Sequence, residues 1–360
     1  MPMLGSHSRR HRSTPLAIAP GLILLLVSLC SPASAEDVTL RITTNGGDFR
    51  QFEDRYVAER FTTETGIKVV WVEGNPPDEL QKLIASRGRP VPFDIAGLDD
   101  KTQPEAIAAG TLAKIDPAIV TNLSQLYDAA KQPDGYGPAL LFWSWGLIYN
   151  EKAFRENGIP PPTSWEDLWN PKLAGKISIA DIGGPGGVDF ILKAAQLAGG
   201  NETNLMPGLE KIAKLKVQSY YSSSNDIRTK LLSGDVWVAP WNNGRSWNLI
   251  DSGFPGKFIY PREGGFLHTS TIDVVAGTKY PREAQLYINY VLDPLSQLAI
   301  LYFPYGPVNK SLDQVLRDYP DLAKKVPTSS LSQLSVPNWN AIFSNFATLV
   351  DQWNRIVKSK

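Results

Sequence analysis

Short apolar segments alternate with amphipathic segments along most of this 360-residue chain. Leu40 and Ile42 alternate with polar residues as in a strand, apolar residues then recur at helical spacing over 52–61, and residues 67–72 form the next apolar run. A second helical pattern over 77–87 leads to a third apolar run that ends at Ala96. Strands that alternate with helices predict a parallel sheet with helical crossovers.

The same alternation resumes after an aromatic stretch at residues 141–149. It predicts strands at 177–180, 236–239 and 271–276, and helices at 188–197, 205–215, 226–232, 281–292 and 294–302. A chain of this length exceeds the size at which one hydrophobic core usually stops growing. We therefore expect an α/β fold of two lobes, each with a central, mostly parallel sheet flanked by helices.

The first 35 residues have the pattern of a signal peptide. Arg9, Arg10 and Arg12 precede an apolar run at 16–29, and small residues precede a cleavage position after Ala35. A twin-arginine signal and a lipoprotein signal at Cys30 are alternatives that the neighbouring residues disfavour. We expect an exported protein that functions in the periplasm.

Composition excludes several classes of function once this leader is removed. The remaining 325 residues carry 36 acidic and 33 basic side chains, a single histidine, His268, and no cysteine. A disulfide framework, a thiol nucleophile and a histidine-rich zinc site are thereby excluded, and we expect no metal and no cofactor. A mildly acidic chain is also not typical of nucleic-acid-binding proteins.

Catalytic and nucleotide-binding patterns are absent. No phosphate-binding GxxxxGK[ST] loop and no GxSxG nucleophile motif occur, and Asp189 stands where the run at 183–187 would need its third glycine to bind a dinucleotide. Paired carboxylates remain conceivable because acidic residues are numerous. We therefore expect no enzyme, with a secreted α/β hydrolase as the alternative from another class.

Aromatic and amide side chains follow predicted strands. Trp241, Asn242 and Asn243 come directly after the strand predicted at 236–239, where ligands of α/β sheets bind. Trp143 lies at the boundary between the two halves. An indole offers an apolar face that attracts cations, and amides offer donors and acceptors. Packing within a lobe is the alternative role for Trp241.

Two glycine-containing loops and two basic side chains could contact an anionic group. Asn45-Gly46-Gly47 and residues 183–187 could direct backbone N–H groups at an anion, although tight turns are the favoured explanation. Arg245 could bind a carboxylate with two hydrogen bonds. A lone histidine such as His268 is usually structural.

Six sequence blocks, in the same order, resemble the periplasmic solute-binding proteins of ABC importers, and in particular the spermidine/putrescine-binding branch. The resemblance spans essentially the whole chain after the leader. The blocks are FTTETGIKV at 61–69, WGLIYN at 145–150, PTSWEDLWNP at 162–171, LLSGD at 231–235, PREGG at 261–265 and YGPVN at 305–309.

The resemblance implies a type II periplasmic binding protein that captures a small solute between two lobes. It implies a first lobe at 36–142 and 268–305, and a second at 146–264 and 309–360, with hinge crossings near 143–145, 265–267 and 306–308. It also implies a monomer that delivers solute to an ABC permease with its ATPase. Delivery to a surface sensor is an alternative to transport.

Residues in contact with solute can be carried over by position. Together with the loop and strand-end residues above, the expected set is Asn45, Gly46, Gly47, Asp48, Phe49, Leu98, Asp99, Trp143, Asp181, Gly184, Trp241, Asn242, Asn243, Arg245, His268, Ser270 and Tyr305.

The chain departs from polyamine binders at two of these positions. His268 and Ser270 stand where that branch carries a Trp and an Asp that holds an ammonium group, and Asp181 alone remains of an acidic pair. We therefore expect a pocket with few acidic groups. The expected solute is amine-bearing and zwitterionic, with its own carboxylate, as in amino-acid-like or opine-like compounds; a polyamine is the alternative.

Overall fold

A computed structural model describes residues 38–132, 134–184 and 186–359, with the side chains of Gly47 and Asp48 excepted. The predicted leader therefore lies outside the described residues. Among those that are described, no helix has the length and apolar character needed to cross a membrane.

In the described part of the chain, ten strands form two sheets. The strands are β1 Thr39–Thr44, β2 Lys68–Glu73, β3 Ile95–Asp99, β4 Ala139–Asn150, β5 Ser178–Ala180, β6 Ser219–Tyr221, β7 Val238–Asn242, β8 Gly256–Ile259, β9 Gly265–Val274 and β10 Leu334–Ser335. The larger sheet has the order β2-β1-β3-β9-β4-β7, with β8 beside β4 and β10 beside β9, and β5 pairs with β6 in the smaller one.

Helices connect these strands, as the alternation of patterns predicted. The α-helices are Gly47–Glu53, Glu59–Thr65, Pro76–Ala85, Gln103–Ala108, Glu151–Glu156, Gly187–Leu197, Met206–Ile212, Ser224–Ser233, Asn243–Asp251, Pro281–Val291, Pro294–Ile300, Asp313–Asp318, Pro320–Ala323, Trp339–Phe343 and Phe346–Trp353. Short 3₁₀ segments lie at Thr121–Gln125, Asp128–Ala130, Trp165–Trp169, Pro171–Leu173, Lys310–Leu312 and Pro327–Gln333, and π-helical turns at Asp54–Ala58 and Asn354–Lys358.

Local sequence explains where several helices begin. Asn75 accepts a hydrogen bond from the Asp78 N–H and is followed by two prolines, so the helix Pro76–Ala85 starts there. Asn242 caps Asn243–Asp251 in the same way. Ser223 caps Ser224–Ser233 by accepting a hydrogen bond from the Asp226 N–H.

Two hydrophobic cores flank the larger sheet. The first core draws its buried side chains from between Leu40 and Phe142 and from between Leu267 and Val308. The second core draws them from between Trp145 and Phe266, and again from Trp339 to Val357. A smaller, separate cluster contains Leu301, Leu312, Leu316 and Val326.

The long strands β4 and β9 connect these cores. The first half of β4 pairs antiparallel with β9, and its second half pairs with β7 and β8. β9 also pairs antiparallel with β3, whereas β1 pairs in parallel with both β2 and β3. The larger sheet is consequently mixed, because the strands that cross between the cores run against their neighbours.

Candidate functional site

A cavity of about 1040 Å³ lies between elements of the two cores. This volume is at the upper end of the range for small-molecule sites. Asn45 and Gly46 follow β1, Asp99 ends β3 and Asn242 ends β7, and all four line the cavity. The site therefore occupies the carboxyl ends of strands, where α/β sheets bind their ligands.

Aromatic rings form one wall of the cavity. Phe49, Phe52, Phe303 and Tyr305 lie against one another, with the ring centroids of Phe52 and Phe303 at 5.3 Å and those of Phe49 and Phe303 at 5.8 Å. A side chain at Gly244 would meet the Tyr305 ring, since an added Cβ would lie 2.4 Å from it. Glycine at this position lets the helix Asn243–Asp251 approach that wall.

Three carboxyl groups of the first-core side line the cavity. Glu53 accepts a hydrogen bond of 2.5 Å from Thr44 Oγ1, and Glu79 accepts one of 2.9 Å from Thr43 Oγ1. Burial raises the pKa of Glu53 to about 8 and that of Glu79 to about 7, and burial also raises the pKa of Asp99. Burial disfavours the ionised form of these carboxyl groups. A cation that enters the cavity would stabilise that form.

One guanidinium group faces the cavity from the second-core side. Arg245 is exposed and lies in the first turn of Asn243–Asp251, whose Leu249 is buried in the second core. Burial raises the pKa of the Tyr305 phenol, and the Arg245 guanidinium, which hydrogen-bonds that phenol, opposes the increase. The cavity thus presents carboxyl groups on one side and a cation on the other.

The cavity brings ten of the expected solute-contacting residues together. They are Asn45, Gly46, Phe49, Leu98, Asp99, Trp143, Asn242, Arg245, Ser270 and Tyr305. Gly47 and Asp48 belong to the helix Gly47–Glu53, and their side chains are outside the described part of the chain.

Two expected residues on the second-core side have partners within their own region. The Asp181 carboxylate accepts a hydrogen bond of 3.1 Å from Trp353 Nε1 and pairs with Lys358. Gly184 donates its N–H to the Asp181 carbonyl in a tight turn. Neither residue lines the cavity.

Trp241 and Asn243 also lie outside the cavity lining. The strand β7 extends to Asn242, so the Trp241 side chain points to the opposite face from that of Asn242 and is buried in the second core. Asn243 is fully buried; its Oδ1 accepts from the Ser144 N–H at 2.9 Å, and its Nδ2 donates to the Pro304 carbonyl.

His268 is fully buried beside the cavity. Its ring stacks on Trp143 with centroids 4.0 Å apart, and Trp143 lines the cavity. Its nitrogens lie 3.0 Å from Asp100 Oδ2 and 2.6 Å from Asp189 Oδ1. Burial lowers the pKa of His268, but the two carboxylates outweigh that effect and raise it to about 9. His268 is therefore an imidazolium held by protein carboxylates.

The expectation of a pocket with few acidic groups is wrong. Glu53 and Glu79 line the cavity although the sequence did not single them out. Glu53 stands four residues after Phe49 on a helical stretch, a spacing that puts both side chains on one face, so this signal was available. Other lining residues without a sequence signal are Ser223, Asn225, Asn248 and Phe303.

No cluster of three or more metal-ligating side chains occurs within the described ranges.

Known proteins with related sequences include periplasmic binding proteins. A spermidine/putrescine-binding periplasmic protein of Haemophilus influenzae is 22% identical over 295 residues, which are 76% of this chain and 79% of that protein. A putative 2-aminoethylphosphonate-binding periplasmic protein of Salmonella typhimurium is 22% identical over 355 residues, covering 94% of this chain and 98% of that protein.

Solved structures share the fold. An ABC transporter structure from Clostridium perfringens superposes with a TM-score of 0.75 at 26% identity and covers 88% of this chain and 99% of that one. The predicted two-lobed periplasmic binding protein fold is confirmed. The similar proteins are binding components of transport systems rather than enzymes.

The family model described as bacterial extracellular solute-binding protein matches residues 57–327, about three quarters of the chain. The predicted role as a solute-binding component of an ABC import system is thereby confirmed at the level of the class. This chain belongs to the bacterial extracellular solute-binding protein family.

Proposed function

We propose that the protein captures a small solute that carries both an amine and an anionic group. It holds this solute between its two lobes in the periplasm and delivers it, as a monomer, to an ABC permease with its ATPase. The signal peptide is removed after Ala35.

The observation that carries the proposal is the separation of charge across one cavity. Glu53, Glu79 and Asp99 line it from the first-core side, and Arg245 lines it from the second-core side. An ammonium group fits the carboxyl side because it would offset their desolvation. A carboxylate or phosphonate fits the guanidinium, which forms strong charge-assisted hydrogen bonds with the oxygens of such anions.

The named relatives are consistent with an amine. One is named for spermidine and putrescine and another for 2-aminoethylphosphonate, and an amine is common to all three compounds. Only the phosphonate also carries an anion, and Arg245 supplies the matching cation here. The cavity of about 1040 Å³ leaves room for a solute larger than a simple amino acid, such as an opine-like conjugate.

Lobe closure follows from the long strands. The lobes at 36–142 with 268–305 and at 146–264 with 309–360 would rotate about residues 143–145 of β4, 265–267 of β9 and a third crossing at 306–308. A closed form contacts solute with both lobes, so solute shifts the equilibrium toward closure.

A polyamine is the second candidate. Three carboxyl groups in one cavity favour a solute with more than one cationic nitrogen, and a relative is named for such compounds. The Arg245 guanidinium opposes it, because it would lie in the same cavity as a second ammonium group.

Intrinsic tryptophan fluorescence tests the site. Trp143 lines the cavity, so an amino acid, opine or polyamine that binds there should change the emission. Trp143→Phe should remove most of that change. Trp165→Phe is the matched control, because Trp165 is buried in the second core and donates to the Gly264 carbonyl. A response that survives in Trp143→Phe and disappears in Trp165→Phe would place binding elsewhere.

A further inference from the structure

A group of charged side chains is buried beside the solute cavity. His268 and Asp189 have fully buried side chains, while the Asp100 and Lys101 side chains are 11% and 20% exposed. Two of these groups are cations and two are anions, so the network is balanced in charge. Buried charges of this kind persist only where each has a close partner of opposite sign.

The partners come from different lobes. Lys101 follows β3 on the first-lobe side, and its Nζ lies 3.0 Å from Oδ2 of Asp189, in the first turn of the second-lobe helix Gly187–Leu197. Trp339, which is buried in the second core, donates from Nε1 to Asp100 Oδ2 at 2.6 Å. The Lys101 ammonium also lies 4.3 Å from the centroid of the Trp339 ring.

His268 occupies the centre of the network. Its Nδ1 lies 3.0 Å from Asp100 Oδ2 and its Nε2 lies 2.6 Å from Asp189 Oδ1, so it bridges a first-lobe and a second-lobe carboxylate. Its ring lies between Trp143 and Trp339, at centroid distances of 4.0 Å and 5.4 Å. A change in the spacing of the lobes would separate these partners.

These contacts join residues of the two proposed lobes. If the lobes rotate apart as proposed, Asp189 and Trp339 would move away from Lys101 and Asp100, and the charges would regain water. Removing one charge therefore leaves its partner buried and unpaired in the closed form alone, which penalises closure rather than folding of either lobe.

We propose that Asp100, Lys101, Asp189, His268 and Trp339 form an interlobe latch that stabilises the closed form. His268 acts as a positioning residue, since it supports Trp143 from behind and does not touch the solute itself. This inference rests on the proposed closing of the lobes and assigns it to specific contacts outside the solute cavity.

The distance between the lobes can be measured directly by pulsed electron paramagnetic resonance. The chain after the leader has no cysteine, so Leu232→Cys and Tyr302→Cys, at residues that are 54% and 74% exposed, provide one spin-label site on each lobe. Distances are recorded without solute and with 4-aminobutyrate or putrescine as probes.

Two latch variants are compared with the labelled parent. Lys101→Gln and His268→Gln should each reduce the ratio of short to long distances by about tenfold or more, because each leaves two carboxylates with a single cation in the closed form. The double variant Lys101→Gln/Asp189→Asn removes one charge of each sign and should recover part of this ratio. Lys101 is partly exposed, so its variant remains informative if His268→Gln does not fold.

Asp273→Asn is the matched control. Asp273 is a fully buried carboxyl group on the same strand as His268, but its partners Gln103, Thr271 and Gly137 all lie on the first-lobe side. It should change thermal stability without changing the ratio of distances.

Two outcomes would overturn the latch. If the parent shows short and long distances and both latch variants keep the parental ratio, the latch is wrong while lobe closure stands. If the parent shows one long distance in every condition, closure itself fails, and the proposed mode of solute capture falls with it.

Discussion

Replacing Glu53 with glutamine should weaken binding of an amine-bearing solute by about 30-fold, or about 2 kcal/mol, the usual effect of removing a hydrogen bond to a charged group. Glu53 lines the cavity and accepts a hydrogen bond from Thr44. The amide keeps the size of the side chain but cannot become negative, so the ammonium group loses its partner. Isothermal titration calorimetry measures this change.

The pH dependence of binding gives a second readout of the same variant. Burial raises the pKa of Glu53 to about 8, so this carboxyl group is mostly protonated at pH 7 without solute. An ammonium group favours the carboxylate, so binding should release protons, and affinity should rise with pH until about 8. Calorimetry in buffers of different ionisation enthalpy detects this release, and Glu53→Gln should reduce it.

Stability of the solute-free protein should have the opposite dependence on pH. The pKa of Glu53 is raised above its ordinary value of 4.5, so its contribution to stability is fully present below that value and is lost as pH rises through about 8. Glu59→Gln is the matched control, since Glu59 is exposed and lies outside the cavity. Parental affinity and unchanged proton release in Glu53→Gln would contradict the role of Glu53.

Replacing Arg245 with glutamine should change selectivity rather than stability. Affinity for a solute with an amine and a carboxylate should fall by about 30-fold to 100-fold, because the anionic group loses charge-assisted hydrogen bonds as closure excludes water. Affinity for a diamine of the same length should stay equal or increase, because a repulsive cation is removed. The ratio of the affinities for 4-aminobutyrate and putrescine, measured by calorimetry, reports the change.

Arg262→Gln provides the control for Arg245. The Arg262 side chain is 71% exposed, pairs with Glu263 and lies outside the cavity. An equal loss of affinity for both ligands in Arg245→Gln would indicate that Arg245 has a structural role, through its hydrogen bond to the Tyr305 phenol. A loss of putrescine binding alone would contradict the predicted repulsion between Arg245 and a second ammonium group.

The first strand could be predicted because β1 buries the alternate residues Leu40 and Ile42. The path of β4 could not, since Phe142, Trp145 and Leu147 are buried on both faces and leave no alternating pattern. The π-helical turn Asp54–Ala58 has no sequence signature either.

Prediction of the site depended on where strands end. Asn242 was expected directly after a strand and Asp99 by position from the family resemblance, and both line the cavity. Trp241 was expected after a strand ending at Ala239, but the strand continues to Asn242. Successive side chains of a strand point to opposite faces, so Asn242 faces the cavity and Trp241 does not. Glu53 was missed because an acidic residue on a helix is ordinarily a solvent-facing one.

Thermal unfolding in the presence of a solute panel tests the central claim most directly, because a ligand that binds only the folded protein raises its unfolding temperature. The panel contains amino acids with a terminal amine, such as 4-aminobutyrate, together with opines, polyamines, dicarboxylates and neutral sugars. The proposed charge separation predicts the largest increase from a compound that carries both an amine and an acid group. A largest increase from a dicarboxylate or a sugar, or no increase from any amine, would contradict it.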